Sequence, residues 1–519
     1  MSFTSFSFFT FLSLLFIIYF LIPKKYQWIV LLAGSYIFYI ASSPVTTAFL
    51  LFTTITTFYT GIFLGKANEQ YAQKVSLAGE SLTKEQKNRY KAENKKYKSK
   101  ILVVSLLITF GILAFLKYYN FFTDSANMAF NILSIQAEFP RLNLLLPLGI
   151  SFYTFQSTGY VIDVYRWKIA PDKNLAKFAL FVSFFPQIVQ GPIGRYNELA
   201  GQLYEEHPFD YTRAKHGLQL VLWGLFKKLV IADRAAIIVN TVFDNYADYQ
   251  GLTIFLAVFL YCIQVYCDFS GGIDIARGVA QVLGINLREN FKRPFFATSI
   301  ADFWRRWHIS LSEWMRDYIF FPLSISRSFA RLGKTARKYL GTYLGKLAPT
   351  FLAMLITFLA VGIWHGARWN FVAYGLYNGI LIFTGILLDP FLTRLFSERK
   401  INTDQFPWRL LKIFGTLFLV CIGRYFSRAD GFTIALRMMR STFSNIDLTL
   451  FSGDQIVQLG LNEKNLFLLL VALIVLLVVD ILQESGIKLR ERISAQPVVF
   501  RWALYFTAIF SIILFGIYG

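Results

Sequence analysis

Long runs of apolar residues, separated by short polar segments, dominate the chain. A helix needs ~20 mostly apolar residues to cross the hydrocarbon core of a bilayer, and several runs approach that length. They lie at 6–22, 101–118, 465–482 and 502–519, with less uniform runs at 26–41, 45–65, 350–366, 371–390 and 410–427. The pattern predicts an all-α polytopic membrane protein, with residues 1–519 forming a single membrane-embedded helical bundle.

The middle of the chain, from about 144 to 300, departs from this simple pattern. Three segments there mix apolar residues with glycine, proline and charge: LPLGISFYTFQSTGY, SFFPQIVQGPIGRYNEL and YCDFSGGIDIARGVAQVLG. Irregular backbone at membrane depth is tolerated only where protein or a water-filled cavity satisfies its polar groups. We therefore expect re-entrant or broken helices around a central chamber or tunnel, and the number of spans in this region stays open.

Basic residues are concentrated between the apolar runs. Segment 66–100 carries ten Lys or Arg residues against four acids, and segment 322–349 carries six against none. Cytoplasmic loops are enriched in Lys and Arg. Placing 66–100 in the cytoplasm puts basic segments 392–409 and 483–501 on the same side and the N-terminus outside. The net charge of +21 thus follows from topology, and nucleic acid is not expected as a partner.

Two of the four histidines stand in aromatic, membrane-like sequence. His365 closes an apolar run, and Gly366 is predicted to end that helix as a C-cap. His308 falls on an apolar stripe at helical spacing, between a capping-box-like start at Ser299 and a plausible stop at Pro322. An ionisable group within a membrane suggests a function by default, and histidine exchanges protons near neutral pH.

The surroundings alone assign neither histidine a role. His308 is equally compatible with a hydrogen-bonded core residue, and His365 with an interfacial belt that includes Trp364 and Trp369. At His365 the helix C-terminus favours the imidazolium and burial favours the neutral ring. A base that is neutral at rest and cationic in the transition state can use both effects.

Other polar residues in apolar sequence are best explained as ion pairs. Asp274 and Arg277 are spaced i, i+3 and can pair on a helix, and GLFKKLVIADRAA carries two lysines and an Asp-Arg pair. The chain has no GxxxxGK[ST] phosphate loop, no HExxH zinc motif and no GxSxG nucleophile elbow. Its three cysteines predict neither a disulfide framework nor a metal site.

Six stretches, in order from about 145 to 380, resemble the membrane-bound O-acyltransferase family, specifically its alginate O-acetylation branch. They are PLGISFYTFQ, FPQIVQGPIGRY, GLFKKLVIADR, YCDFSGGIDIARG, ENFKRPFFATSIADFWRRWHISLSEWMRDYIFFPL and AVGIWHGARWNFVAYGLYNG. The tryptophan-flanked His308 and the Trp-His-Gly at 364–366 are the specific parts. One departure is Gly271–Gly272, where the family favours a Gly-Tyr-Ser-Asp-like sequence. The resemblance implies a catalytic core at 145–380.

The resemblance further implies an acetyltransferase of the bacterial plasma membrane that needs no bound cofactor. Its donor would be acetyl-CoA or another acyl thioester from the cytoplasm. Its acceptor would be an extracytoplasmic, alginate-like polysaccharide, often reached through a partner acyltransferase. His365 would be the general base and His308 a second essential residue, and Arg305 and Arg306 would attract the donor's phosphates. Substrate binding is expected of Trp304, Arg305, Arg306, Trp307, Trp364 and Asn370.

The sequence is also compatible with two other functions. One is that of an acyltransferase for a lipid, protein or teichoic-acid acceptor. A transporter of glycans or small anions would use the polar chamber as its pathway. Repeated halves are frequent in transporters, and no internal repeat stands out in this sequence.

Overall fold

The computed structural model describes residues 2–77, 83–444 and 456–518. These residues form helices and connecting segments, without a strand, which confirms the all-α prediction. Contacts within the chain define two compact units. Unit 1 comprises 1–215 and 279–288, and unit 2 comprises 216–278 and 289–519. The prediction of one membrane-embedded domain stays a prediction.

Among the described residues, eight helices belong entirely to unit 1. They are α1 (Phe6–Leu21), α2 (Gln27–Ser42), α3 (Thr47–Leu77), α4 (Lys84–Ile132), α5 (Ile150–Tyr165), α6 (Leu175–Ser183), α7 (Phe185–Ile188) and α8 (Tyr196–Tyr204). Two further helices have residues in both units, α9 (Tyr211–Leu225) and α11 (Gly251–Val282).

Unit 2 holds the remaining helices. They are α10 (Asp233–Asp244), α12 (Ile300–Arg306), α13 (Ile309–Met315), α14 (Phe321–Ser324), α15 (Arg327–His365), α16 (Trp369–Glu398), α17 (Phe406–Arg428), α18 (Phe432–Ser444), α19 (Glu463–Glu484), α20 (Leu489–Ser494) and α21 (Val498–Phe515). Two π-helical segments, Phe226–Ala232 and Arg316–Phe320, join α9 to α10 and α13 to α14. Short 3₁₀ turns lie at Lys24–Tyr26, Tyr246–Asp248, Pro294–Phe296 and Val457–Leu459.

Eight of the described helices are long and apolar enough to cross a membrane: α3, α4, α11, α15, α16, α17, α19 and α21. Helix α1 is apolar but shorter, with 16 residues. Each span predicted outside the 144–300 region coincides with a helix. The protein is therefore a multi-pass membrane protein, as predicted.

The basic segment 66–100 largely forms helix, although residues 78–82 lie outside the described residues. Its second half is the start of α4, which runs on for 49 residues into the apolar stretch that follows. Thr83 begins the helix with a capping box, in which its hydroxyl accepts from the Gln86 N–H and the Gln86 side chain accepts from the Thr83 N–H. At ~1.5 Å per residue, this helix is much longer than a bilayer core, so its charged end extends beyond the apolar span.

The middle region confirms one predicted irregularity and corrects another. Around Phe185–Ile188 the chain is broken into short helices, as predicted. The prediction of a break in YCDFSGGIDIARG was wrong, because α11 runs through it without interruption. Gly271 allows this helix to pack closely on Gly224, where a Cβ on Gly271 would lie 2.8 Å from the Gly224 carbonyl oxygen. The glycines therefore serve close helix packing rather than a break.

Candidate active site

The chain turns sharply at His308, between α12 and α13. Trp307 is extended, and His308 has φ 45° and ψ 54°, in the left-handed region that non-glycine residues seldom occupy. Ser299 caps α12 as predicted, its hydroxyl accepting from the Asp302 N–H. The prediction of one helix from Ser299 to Pro322 was wrong because the turn at His308 divides it. The second part runs without a gap from Ile309 through the π-helical segment and ends at Ser324, close to the predicted stop at Pro322.

Asn290 holds this turn in place. Its carbonyl oxygen accepts from the Ile309 N–H at 3.0 Å, and its side-chain Oδ1 accepts from the Ser310 N–H at 2.7 Å. Its Nδ2 lies 3.2 Å from Nδ1 of His308. Strained backbone persists only where the surroundings determine it, and it clusters at functional sites. Asn290 lies within a stretch that carries the family resemblance, yet no local signal singles it out.

These contacts also define the protonation of His308. Because Oδ1 of Asn290 accepts from Ser310, its Nδ2 amide is the atom that faces the imidazole. An amide nitrogen only donates, so Nδ1 of His308 accepts and the neutral ring carries its proton on Nε2. His308 lies outside the eight span helices and is fully buried. Burial, and then the neighbouring His365, hold its pKa well below the usual value, so the ring is neutral at pH 7.

His365 is the last residue of α15, and Gly366 follows it as the C-cap, as predicted. Gly366 is extended there rather than left-handed, with φ −173°. Helices α15 and α16 pack backbone to backbone, since a side chain at Gly362 would collide with the Phe371 carbonyl oxygen. This approach sets the His365 ring against Tyr374 of α16, with centroids 5.8 Å apart.

Trp364 brings the two histidines into one cluster. Its ring centroid lies 5.4 Å from that of His308 and 4.9 Å from that of His365, with steep interplanar angles in both cases. Phe269 of α11 also packs against the His308 ring, with the two ring centroids 4.8 Å apart. Two histidines that are 57 positions apart in sequence therefore share one aromatic environment within unit 2.

The other predicted binding residues surround this cluster in different ways. The indole N–H of Trp304 donates to Oδ1 of Asn378 at 3.0 Å, and Trp307 stacks on Phe303 with centroids 5.3 Å apart. Asn370 is buried, and its amide donates to the carbonyl oxygens at 426 and 429 in and after α17. Asn370 therefore links α16 to the end of α17 through hydrogen bonds. Its contact with the substrate stays a prediction.

Arg305 and Arg306 lie at the end of α12 and have carboxylate partners. Arg305 is exposed and pairs with Asp302 at 3.2 Å. Arg306 pairs with Asp302 at 3.1 Å and with Glu484 of α19 at 3.0 Å. The charge of Arg306 is therefore largely balanced within the protein, and attraction of donor phosphates by either residue stays a prediction.

A cavity of about 480 Å³ lies in unit 2 beside the histidine cluster. Asn290, the residue that contacts His308, forms part of its wall, as do Lys488 and Arg490 of the basic segment 483–501. The Asp274–Arg277 pair predicted from sequence lies here at 3.4 Å, and Asp274 also accepts from Lys227 at 2.7 Å. The wall combines charged groups with aromatic ones. It is lined by residues 216, 220, 223, 227, 266, 270, 273, 274, 277, 289–291, 293, 480, 483 and 486–491.

The fold and this cluster define a class of protein: a multi-pass membrane protein in which two histidines share one aromatic cluster and a polar cavity is lined in part by Asn290, the partner of His308. The chain belongs to the membrane-bound O-acyltransferase family, which residues 168–426 match. It is 31% identical to the probable alginate O-acetylase AlgI of Azotobacter vinelandii, over 92% of this chain and 84% of that protein.

The names of two further relatives refer to other polymers. A peptidoglycan O-acetyltransferase of Helicobacter pylori is 32% identical, over 55% of each chain. A teichoic acid D-alanyltransferase of Bacillus subtilis is 28% identical, over 56% of this chain and 70% of that protein. The protein is therefore an O-acyltransferase that uses an acyl donor, as predicted.

Proposed function

We propose that this protein takes an acetyl group from a cytoplasmic thioester, with acetyl-CoA as the simplest donor, and passes it toward hydroxyls of an extracytoplasmic polysaccharide. The single observation that carries this proposal is the convergence of His308 and His365 on Trp364 in a chain similar to alginate O-acetylases. The family establishes acyl transfer, and the histidine pair supplies the groups that can move the proton.

The reaction exchanges one acyl bond for another. The acceptor hydroxyl oxygen attacks the thioester carbonyl carbon, and His365 takes the hydroxyl proton. The carbon–sulfur bond then breaks, and the departing thiolate receives a proton through the same cluster. The products are an ester and a free thiol. A positioned general base contributes ~10²–10⁴ in rate, and alignment of two bound reactants contributes ~7–11 kcal/mol.

His308 has a supporting role in this scheme. Its Nδ1 faces the amide of Asn290, and its Nε2–H would orient a reactant or relay a proton. Because burial keeps His308 neutral, it adds no charge that would compete with formation of an imidazolium at His365. Trp304, Trp307 and Trp364 would form the apolar walls around the acyl group.

The cavity beside Asn290 suits the entry of the donor. Basic residues of segment 483–501, including Lys488 and Arg490, contribute to its wall, and that segment lies in the cytoplasm by the positive-inside rule. We infer that the donor enters there, that the N-terminus lies outside, and that the protein resides in a bacterial plasma membrane. A partner acyltransferase outside would carry the acetyl group to the polymer.

A second acceptor class is favoured by a specific observation. The similarity to a peptidoglycan O-acetyltransferase and to a teichoic acid D-alanyltransferase makes a cell-wall polymer the main alternative to an alginate-like polysaccharide. Both alternatives retain the same histidine chemistry, so they differ in the acceptor and its delivery rather than in the reaction.

The test uses inside-out membrane vesicles from the native host, with the chromosomal gene deleted and restored on a plasmid, so that partners are present. Labelled acetyl-CoA is added, and alkali-labile acetate on the polymer is measured together with released thiol. We expect both products to appear in vesicles from the restored strain only. Uptake of label without consumption of thioester would instead identify a transporter.

A further inference from the structure

Arg424 is a buried cation in an apolar helix of unit 2. It lies in α17, one of the helices long and apolar enough to cross the membrane, and the residue is only 4% exposed. Its Nε and Nη2 atoms have no hydrogen-bond partner among the described residues. Removing a guanidinium from water is unfavourable unless other groups replace the water. The unfavourable burial of this guanidinium therefore has to be offset by an interaction that it makes in the protein or with a substrate.

Aromatic rings and a thiol surround Arg424. Its Cζ lies 4.6 Å from the centroid of the Trp307 ring, its side chain forms a hydrogen bond with the Cys262 thiol, and the Tyr261 and Tyr374 phenols are near enough to interact with its charge. By contrast, Arg428 at the end of the same helix donates to Asn240 and pairs with Asp244. Among the described residues, Arg424 thus has aromatic and thiol contacts but no carboxylate partner.

The location of Arg424 connects it to the histidine cluster. Trp307 immediately precedes His308, and the Tyr374 ring lies 5.8 Å from that of His365. The guanidinium therefore packs on the residue that precedes His308, and its charge interacts with the tyrosine that packs against His365. Helix α17 also approaches α16 closely beside Arg424, since a Cβ on Gly423 would lie 3.2 Å from the Tyr377 ring and 3.5 Å from the Tyr374 ring. The cation faces the same aromatic environment in which the proposed reaction takes place.

We propose that Arg424 is a catalytic residue whose Nε–H and Nη2–H donate to the carbonyl oxygen of the acyl thioester. This inference rests on the proposed function. When the acceptor hydroxyl attacks the carbonyl carbon, its proton passes to His365 and negative charge develops on the carbonyl oxygen, next to the guanidinium. As the carbonyl re-forms, the carbon–sulfur bond breaks and the thiolate takes up the proton. The permanent charge of arginine needs no proton transfer to stabilise this oxyanion.

The physical reason for this assignment is preorganisation. Donors that already point at the position of a developing charge, in a site without water, cost no reorganisation during the reaction. Loss of a single donor of this kind typically lowers kcat by ~10²–10³. A guanidinium offers two N–H groups in a fixed fork, whereas a lysine ammonium at the same place would supply charge with a different geometry.

The experiment compares Arg424→Met, Arg424→Lys and the control Arg428→Gln, which removes a cation from the same helix end. Labelled acetyl-CoA is the donor in the native-host vesicles, and kcat and KM are referred to the amount of protein present. We expect Arg424→Met to lower kcat at least ~100-fold with little change in KM. Arg424→Lys should retain part of the rate, and Arg428→Gln should resemble the wild type.

Thermal unfolding of the purified variants separates catalysis from structure. If Arg424 mainly supports the fold, Arg424→Met lowers Tm and the loss of rate follows the loss of folded protein. If it is catalytic, Arg424→Met keeps or raises Tm, because an apolar side chain of similar length replaces an unpaired cation. Wild-type kcat in Arg424→Met overturns the inference, as does a rate loss explained by unfolding.

The same data distinguish this inference from the proposed function. If wild-type vesicles release thiol and form acetyl ester while Arg424→Met does so equally well, only the assignment of Arg424 fails. If wild-type vesicles consume no thioester, the proposed function itself fails.

Discussion

Asn290 provides the sharpest test of how the site is built. Asn290→Ala removes two buried side-chain contacts, the 2.7 Å bond from Ser310 N–H and the 3.2 Å contact with His308 Nδ1. A buried polar group left without its partner costs ~1–3 kcal/mol. The two losses together amount to about 2–6 kcal/mol, and the left-handed turn at His308 loses its support. We expect a clear fall in Tm and little remaining acyl transfer.

Asn290→Asp is the more informative variant because it has nearly the same shape. The carboxylate still accepts from Ser310 N–H, but it cannot donate to His308. The imidazole must then place a proton on Nδ1, which changes the tautomer or charges the ring. We expect Asn290→Asp to be more stable than Asn290→Ala, yet to lose ~10²–10⁴ in rate, the range associated with a misdirected acid–base group.

The assay combines Tm of the purified protein with acetyl transfer in the native-host vesicles. Asn245→Asp, at an exposed asparagine of the same unit, controls for an added negative charge. Wild-type turnover in Asn290→Asp would refute the tautomer reasoning. Wild-type Tm in Asn290→Ala would refute the role of Asn290 in holding the turn.

Two further predictions follow from burial and from topology. Because the pKa of folded His308 lies below its unfolded value of ~6.5, acidification protonates the unfolded chain first and lowers stability, by at most ~1.4 kcal/mol per pH unit. Tm should therefore fall less between pH 7.5 and 5.5 in His308→Gln than in the wild type, and an equal fall would contradict this. Lys91→Cys places a thiol at an exposed position of α4, and this thiol should react with an impermeant maleimide only after cells are opened. The native cysteines are buried, so they should contribute little to the labelling. Labelling in intact cells would reverse the topology.

Much of the fold could be predicted because span formation depends on local composition. An apolar run such as 465–482 has few stable alternatives in a bilayer, since its backbone hydrogen bonds must be satisfied within the segment. The start of α12 at Ser299 and the Asp274–Arg277 pair were likewise accessible, because capping and i, i+3 pairing depend on residues a few positions apart.

The details of the site depend on distant contacts and were not accessible in the same way. Periodicity continues smoothly through His308, whereas its left-handed backbone is held by Asn290, 18 positions earlier. The break predicted in YCDFSGGIDIARG was wrong because Gly271 permits close packing on Gly224 within a continuous helix. Arg424 was missed because a single arginine in an apolar run carries no pattern. Only its buried position, without a carboxylate partner among the described residues, distinguishes it.

If the ring of His365 is the base in acyl transfer, its removal in His365→Ala must stop the reaction in the inside-out vesicles. Helix α15 already ends at this residue, so the variant should fold and accumulate like the wild type, which Tm and protein amount will verify. We expect acetyl ester formation and thiol release both to fall at least ~100-fold in this variant. Near-wild-type transfer by a folded His365→Ala protein would contradict this role of His365.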